Sequence, residues 1–170
     1  MSVLSLTPDS LNSPIKATAV ALRPQLRGGY CPQVSRENVE IVRRVFDAVA
    51  RRDTAAVLAL YDPDVEVDVS QSKLGEMLVQ PTYHGYDGLR GFDREWREAF
   101  ENVETNYEEL IEAGEQVISI ARYHVRGRTS GIEVQGPVQA GVWTIRDGTI
   151  RRVVWFDTRE EALEAAGLAS

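Results

Sequence analysis

A single cysteine, Cys31, stands in 170 residues, so no internal disulfide can form and nothing in the thiol content asks for an oxidising compartment. Long apolar runs are missing too. Stretches such as 17-ATAVAL-22 fall far short of the roughly 20 residues that a membrane-crossing helix needs. No Lys or Arg precedes Lys16, so the charged start of a secretory signal is absent. Bases are outnumbered 19 to 26, giving a net charge of −7. With its arginines scattered, such a chain lacks the concentrated positive surface that phosphate backbones require. Histidine is limited to His84 and His124, with no His-x-His or His-x-x-x-His spacing, which removes the usual metal-ligand patterns. No G-x-S-x-G, phosphate loop or Rossmann glycine pattern appears. Cys31 has no partner base nearby to make it a nucleophile. The expectation is a cytoplasmic protein with no nucleic-acid or membrane partner, no metal and no cofactor.

What remains is one domain's worth of ordinary globular composition. Residues 1–34 hold Pro8, Pro14, Pro24, Pro32 and a Gly28-Gly29 pair without sustained periodicity, and read as a poorly ordered extension. Order is expected over 35–170. Ser35 can cap a helix whose stripe is Val39, Val42, Val45, Phe46 and Val49. Asp53 caps a second, in which Ala56, Val57, Leu60 and Tyr61 face inward until 62-DPD-64 stops it. In 65-VEVDVS-70 valines alternate with Glu66, Asp68 and Ser70, the pattern of a strand with one apolar face. Asp87 is expected to cap a third helix carrying Leu89, Phe92, Trp96 and Phe100. From about residue 106 the period falls to two. The segments 106–112, 116–128, 132–146 and 149–157 are separated by Ala-Gly-Glu, Thr-Ser-Gly and Arg-Asp-Gly, turn chemistries that favour antiparallel hairpins. Thr158 and Glu161 are spaced as a capping box for a last helix that Gly167 ends. Helices first and a meandering sheet second make the class α+β.

That order, together with 36-RENVEIVRRVFDAVARRD-53, 62-DPDVEVDVS-70, 84-HGYDGLRGF-92, 142-VWTIRDGTI-150 and 160-EEALEAAGL-168, resembles the SnoaL-like branch of the nuclear transport factor 2 (NTF2-like) superfamily. The phrases span 36–168. The resemblance implies a cone: a strongly curved sheet wrapped around N-terminal helices, with a pocket for a small apolar molecule on its concave side and a homodimer contact on its outer face. It also implies chemistry without metal or cofactor, in which a carboxylate or histidine base works beside a hydrogen-bond donor. Fold alone names no reaction. Relatives of the isomerase kind carry a tyrosine and two acids at places that fall on Val45, Val69 and Gly141 here, none of which can move a proton through its side chain, although a slip of one residue would put Asp68 where the base belongs.

The remaining candidates are open to two readings each. Asp68 shares a strand face with Glu66, so the pair could hold a proton between them as a catalytic base, or form a solvated face. His84, just before Gly85, could be a general base or could satisfy the backbone of its turn. Tyr83 and Tyr123 are candidate donors. His124 shares its strand face with Arg122 and Arg126 and should point outward. Tyr123, Trp143 and Trp155 could line a pocket for a flat apolar ligand, with indole N–H and phenol O–H giving directional contacts, or could fill a core. By alternation Arg151 shares a face with Val153 and Trp155, and the resemblance places that face inside the cone, where Asp68 or Glu66 would be its partner. The function expected is a small-molecule pocket, either a cofactor-free isomerase, cyclase or hydrolase acting on an apolar ring-containing compound, or a non-catalytic binding or dimerisation module.

Overall fold

A computed structural model of the chain describes residues 32–168. The expected extension, and Cys31 with it, lies outside the described residues, except that 32–34 already form the start of a helix. This helix, α1 (Pro32–Ala50), begins ahead of Ser35. Proline suits a first turn because its φ is preset and its missing N–H would have had no partner there. Val42, Val45 and Phe46 of the expected stripe are buried. Asp53 caps α2 (Thr54–Leu58) by accepting from the Ala56 amide at 3.0 Å.

The strand then starts earlier than the valine alternation suggested. β1 runs Tyr61–Asp68, so 62-DPD-64 does not end a helix. It is the irregular head of a strand: Tyr61 pairs with Ile150 and Glu66 with Arg152, and the register shifts between them. Pro63, which has no N–H to give, is tolerated where the ladder is interrupted, and the Asp64 amide is taken up by Asp62 at 3.0 Å. A short 3-10 helix, Lys73–Met77, sends Leu74 into the core. β2 (Thr82–His84) leads directly into α3 (Gly85–Ala99). His84, not Asp87, occupies the position that opens α3, and Asp87 lies in its first turn paired with Arg90 at 3.0 Å. Phe100, expected on the helix, opens β3 (Phe100–Ala113) instead.

β4 (Gln116–Gly127), β5 (Glu133–Arg146) and β6 (Thr149–Phe156) follow as antiparallel neighbours. β1 joins β6 in parallel, giving one mixed sheet in the order β2-β1-β6-β5-β4-β3. The Arg-Asp-Gly turn works as expected, Asp147 and Gly148 both lying at positive φ, 51° and 75°. The sheet curls strongly around the N-terminal helices, the α+β cone that the sequence implied.

Both faces of β4 are buried. Val117, Ser119 and Ala121 point into the cone, while Ile118 and Ile120 meet α4 (Arg159–Ala165) on the outside. Thr158 and Glu161 form the capping box of α4, and Ala162 is fully buried against Ile118, Ile120, Ala140 and Val142. The face that the resemblance assigns to a dimer partner is therefore covered in part by the chain's own last helix. Among the described residues no helix is long and apolar enough to cross a membrane.

Candidate functional site

Between α1, α2, α3 and the concave side of the sheet lies a cavity of about 140 Å³. Strand alternation sends Val67, Tyr123, Trp143, Val153 and Trp155 to it from four strands. Helical spacing sends Val45 and Phe46 from α1, and Leu89, Phe92 and Trp96 from α3, to the opposite wall. Lining residues that are also exposed mark the mouth. Val49, Arg52, Asp53 and Thr54 form one lip, and Arg90 and Arg97 the other, with the side chain of Asp93 44% exposed beside them.

The floor is held by interlocked rings. Trp143 and Trp155 meet edge to face at 5.6 Å, Phe46 approaches Trp143 at 5.9 Å, and Tyr123 touches Trp155 at 6.4 Å. Trp143 Nε1 donates to the buried Ser119 Oγ at 2.8 Å, so the directional contact expected from this indole is already made inside the protein. Gly141 is what lets the rings sit there. A Cβ at that place would come within 2.9 Å of Trp143 Nε1, 3.0 Å of Ser119 Oγ and 3.2 Å of the Trp155 ring. The place to which the resemblance assigned an acid is thus filled by indole.

Two phenol hydroxyls on the lining remain free. Tyr61, 7% exposed, and Tyr123 both line the cavity, and among the described residues neither phenol oxygen has a hydrogen-bond partner. Burial pushes both phenols well above their ordinary value, and for Tyr61 the neighbouring Tyr123 adds to the shift. Both stay neutral and able to donate. Tyr123 is half-buried, and since no buried side-chain oxygen among the described residues lacks a partner, both phenol hydroxyls open onto the hollow. Sequence reading named Tyr61 only as inward-facing. Its signal was a polar aromatic next to a turn, and nothing local says that it meets Tyr123.

A pH consequence follows. A phenol whose folded pKa is raised is neutral in the fold while the unfolded chain ionises near 10.0, so its contribution to stability is complete below about pH 10 and declines as pH rises beyond it. Tyr83 behaves alike, pushed up to about 12 by burial and by its bond to Glu95. In a near-ultraviolet absorbance titration we expect three of the six tyrosines to resist ionisation at pH 10–11 and to appear only with unfolding. A single transition for all six near pH 10 would contradict the buried phenols.

The other candidates are not brought together. Asp68 accepts from Ser70 N at 2.9 Å and Ser70 Oγ at 2.6 Å, and lies 3.5 Å from Arg152 Nη2. Glu66 binds the same guanidinium at 2.7 Å. The two carboxylates do share a face, as alternation requires, but it is the face opposite the cavity and a cation stands between them. His84 is exposed, lines no part of the hollow and makes no capping bond with its side chain. Tyr83 is buried, but its hydroxyl donates to Glu95 at 2.6 Å, and the same carboxylate oxygen takes the Val79 amide at 2.9 Å. It ties the 71–81 loop to α3. Arg151 departs from the inward placement expected of it. Thr144 pairs with Arg152 and Ile145 with Ile150, so Arg151 is the extra residue of a bulge, which breaks the alternation and turns it outward onto Asp62 at 2.9 Å. His124 is exposed as expected, 3.9 Å from Glu133. Val45 lines the cavity, and Val69 is fully buried.

The geometry has counterparts among solved structures. TerC, co-crystallised with polyporic acid, superposes with a TM-score of 0.64 at 21% identity, over 77% of this chain and 98% of that one. An NTF2-like protein of unknown function from Burkholderia pseudomallei K96243 gives 0.64 at 23%, over 75% and 95%. An NTF2-like protein from Burkholderia thailandensis E264 gives 0.62 at 25%, over 77% and 95%. No curated protein matches the chain. The family model of the SnoaL-like domain matches residues 42–153, from the buried stripe of α1 to the cavity-facing half of β6, and the chain therefore belongs to the SnoaL-like domain family of the NTF2-like superfamily.

Proposed function

We propose that the cavity binds a flat, apolar, ring-containing small molecule bearing an oxygen that accepts from Tyr61 and Tyr123, and that binding, not acid–base turnover, is the task. The carrying observation is the pair of unpartnered phenol hydroxyls that line a mostly apolar hollow. A donor in the hollow without a protein partner favours a ligand that supplies the acceptor. A base for proton abstraction has no matching support. The carboxylates on the lining, Asp53 and Asp93, stand at the mouth and are engaged with the Ala56 amide and with Arg97. The co-crystal of TerC with polyporic acid supports a small-molecule occupant for this fold.

The test uses the protein's own fluorescence, since all three tryptophans line the cavity. 2-Acetylnaphthalene should bind up to about ten-fold tighter than naphthalene, the effect of an added hydrogen bond worth about 0.5–1.5 kcal/mol. Tyr61→Phe with Tyr123→Phe should bring the two ligands level. Asp68→Asn and His84→Gln, both on the outside, should leave the titrations as in wild type. Equal affinity for ketone and hydrocarbon in wild type would refute the phenol contact, and absence of binding would refute the pocket.

A further inference from the structure

The mouth of the cavity is more basic than the protein around it. In a chain of net charge −7, the lips carry Arg52, Arg90 and Arg97 against Asp53 and Asp93. Most of these charges are already engaged. Asp53 Oδ1 takes the Ala56 amide. Both oxygens of Asp93 are held by Arg97 Nε, at 2.9 and 2.8 Å, and Arg90 is held by Asp87 at 3.0 Å. Arg52 alone of the three has no ion-pair or side-chain hydrogen-bond partner among the described residues. It also sits where a side chain is disfavoured: its φ of 56° is left-handed, at a helix end where glycine is the usual residue because it has no Cβ to clash. A free guanidinium on the rim of the cavity is available to pair with an anion.

We infer that the ligand is an amphipathic anion, with its ring system in the hollow and a carboxylate at the mouth on Arg52. The inference rests on the pocket reading given above and adds the charge of the occupant. Guanidinium matches the two oxygens of a carboxylate with parallel N–H donors. At an exposed rim such a pair is screened by salt, so the ionic strength of the medium tells it apart from burial of the ring.

The experiment compares 4-(2-naphthyl)butanoate with 4-(2-naphthyl)butanamide, which differ in charge and little in shape, by tryptophan fluorescence at low and high salt. The acid is expected to bind about five-fold tighter than the amide at low salt, with the ratio falling towards one as salt is added and in Arg52→Gln. Arg52→Gly relaxes the backbone, so it should melt no lower than wild type and still lose the preference, which keeps the test independent of folding. Equal affinities in wild type would overturn the anionic ligand and leave the pocket standing, whereas failure of both compounds to bind would remove the pocket reading itself. A preference that survives Arg52→Gln, or that is lost instead with Tyr61→Phe and Tyr123→Phe, would overturn the assignment to Arg52.

Discussion

Trp143→Ala is expected to lower the melting temperature by about 10 °C, since truncating a buried aromatic costs about 3–5 kcal/mol and each kcal/mol moves a domain of this size by about 2–4 °C. The ring is 2% exposed and touches Phe46 and Trp155 at the wall and floor of the hollow. Its loss opens space that the surrounding strands, paired on both sides of β5, cannot collapse into. Ser119 Oγ also loses its donor, which adds the cost of a buried polar group left with nothing to bond. Binding of ring compounds should vanish with the floor. Trp143→Phe separates the two contributions: it keeps most of the apolar volume, removes the indole N–H, and should lose about 1–2 kcal/mol. Thermal melts with and without 2-acetylnaphthalene read both effects. An alanine variant that melts like wild type would mean that the indole is not part of a packed floor.

Gly141→Asp should be comparably damaging, and for a reason that bears on the missing catalytic acid. Even Gly141→Ala puts a methyl within 2.9 Å of Trp143 Nε1. That atom is not a flexible tip that swings aside, because the ring is buried and bonded to Ser119. Overpacking of this kind costs about 1–3 kcal/mol. The aspartate adds a carboxylate among buried Trp143, Ser119 and Trp155, which is costlier still. We expect the alanine variant to melt several degrees lower by calorimetry and the aspartate variant lower again, with no gain of proton-abstracting activity. An aspartate variant as stable as wild type would show that the acid position is open, and would revive the isomerase-like reading.

Much of the architecture can be read without coordinates because it is local. Period two in 116–128 and 149–157, a Thr158–Glu161 capping box and an Arg-Asp-Gly turn each depend on residues a few places apart, and each appears where it was expected. Asp53 capping α2 is of the same kind. Errors gather where a long-range pairing overrides the local pattern. Tyr61 looks like the last turn of a helix, but its backbone pairs with Ile150, and pairing across the sheet outweighs a short helix's weak preference. Phe100 has helical spacing from Trp96 but pairs with Gly127. Asp87 is a good capping residue, yet the chain leaves β2 one turn earlier.

The candidate site divides along the same line. By itself the sequence determined which side chains share a strand face, because side-chain direction alternates with residue number along a strand, and which family's motifs the chain carries; that the faces of Trp143, Trp155 and Tyr123 turn inward was what the resemblance implied. The tertiary structure alone decided what those faces meet. A bulge that no local signal announces turned Arg151 away from the hollow, the indole N–H of Trp143 was spent on Ser119 from the next strand, and Tyr61 was set beside Tyr123 from an element more than fifty residues away. Register between distant strands settles such meetings, and register is a property of the assembled sheet, not of any segment read alone.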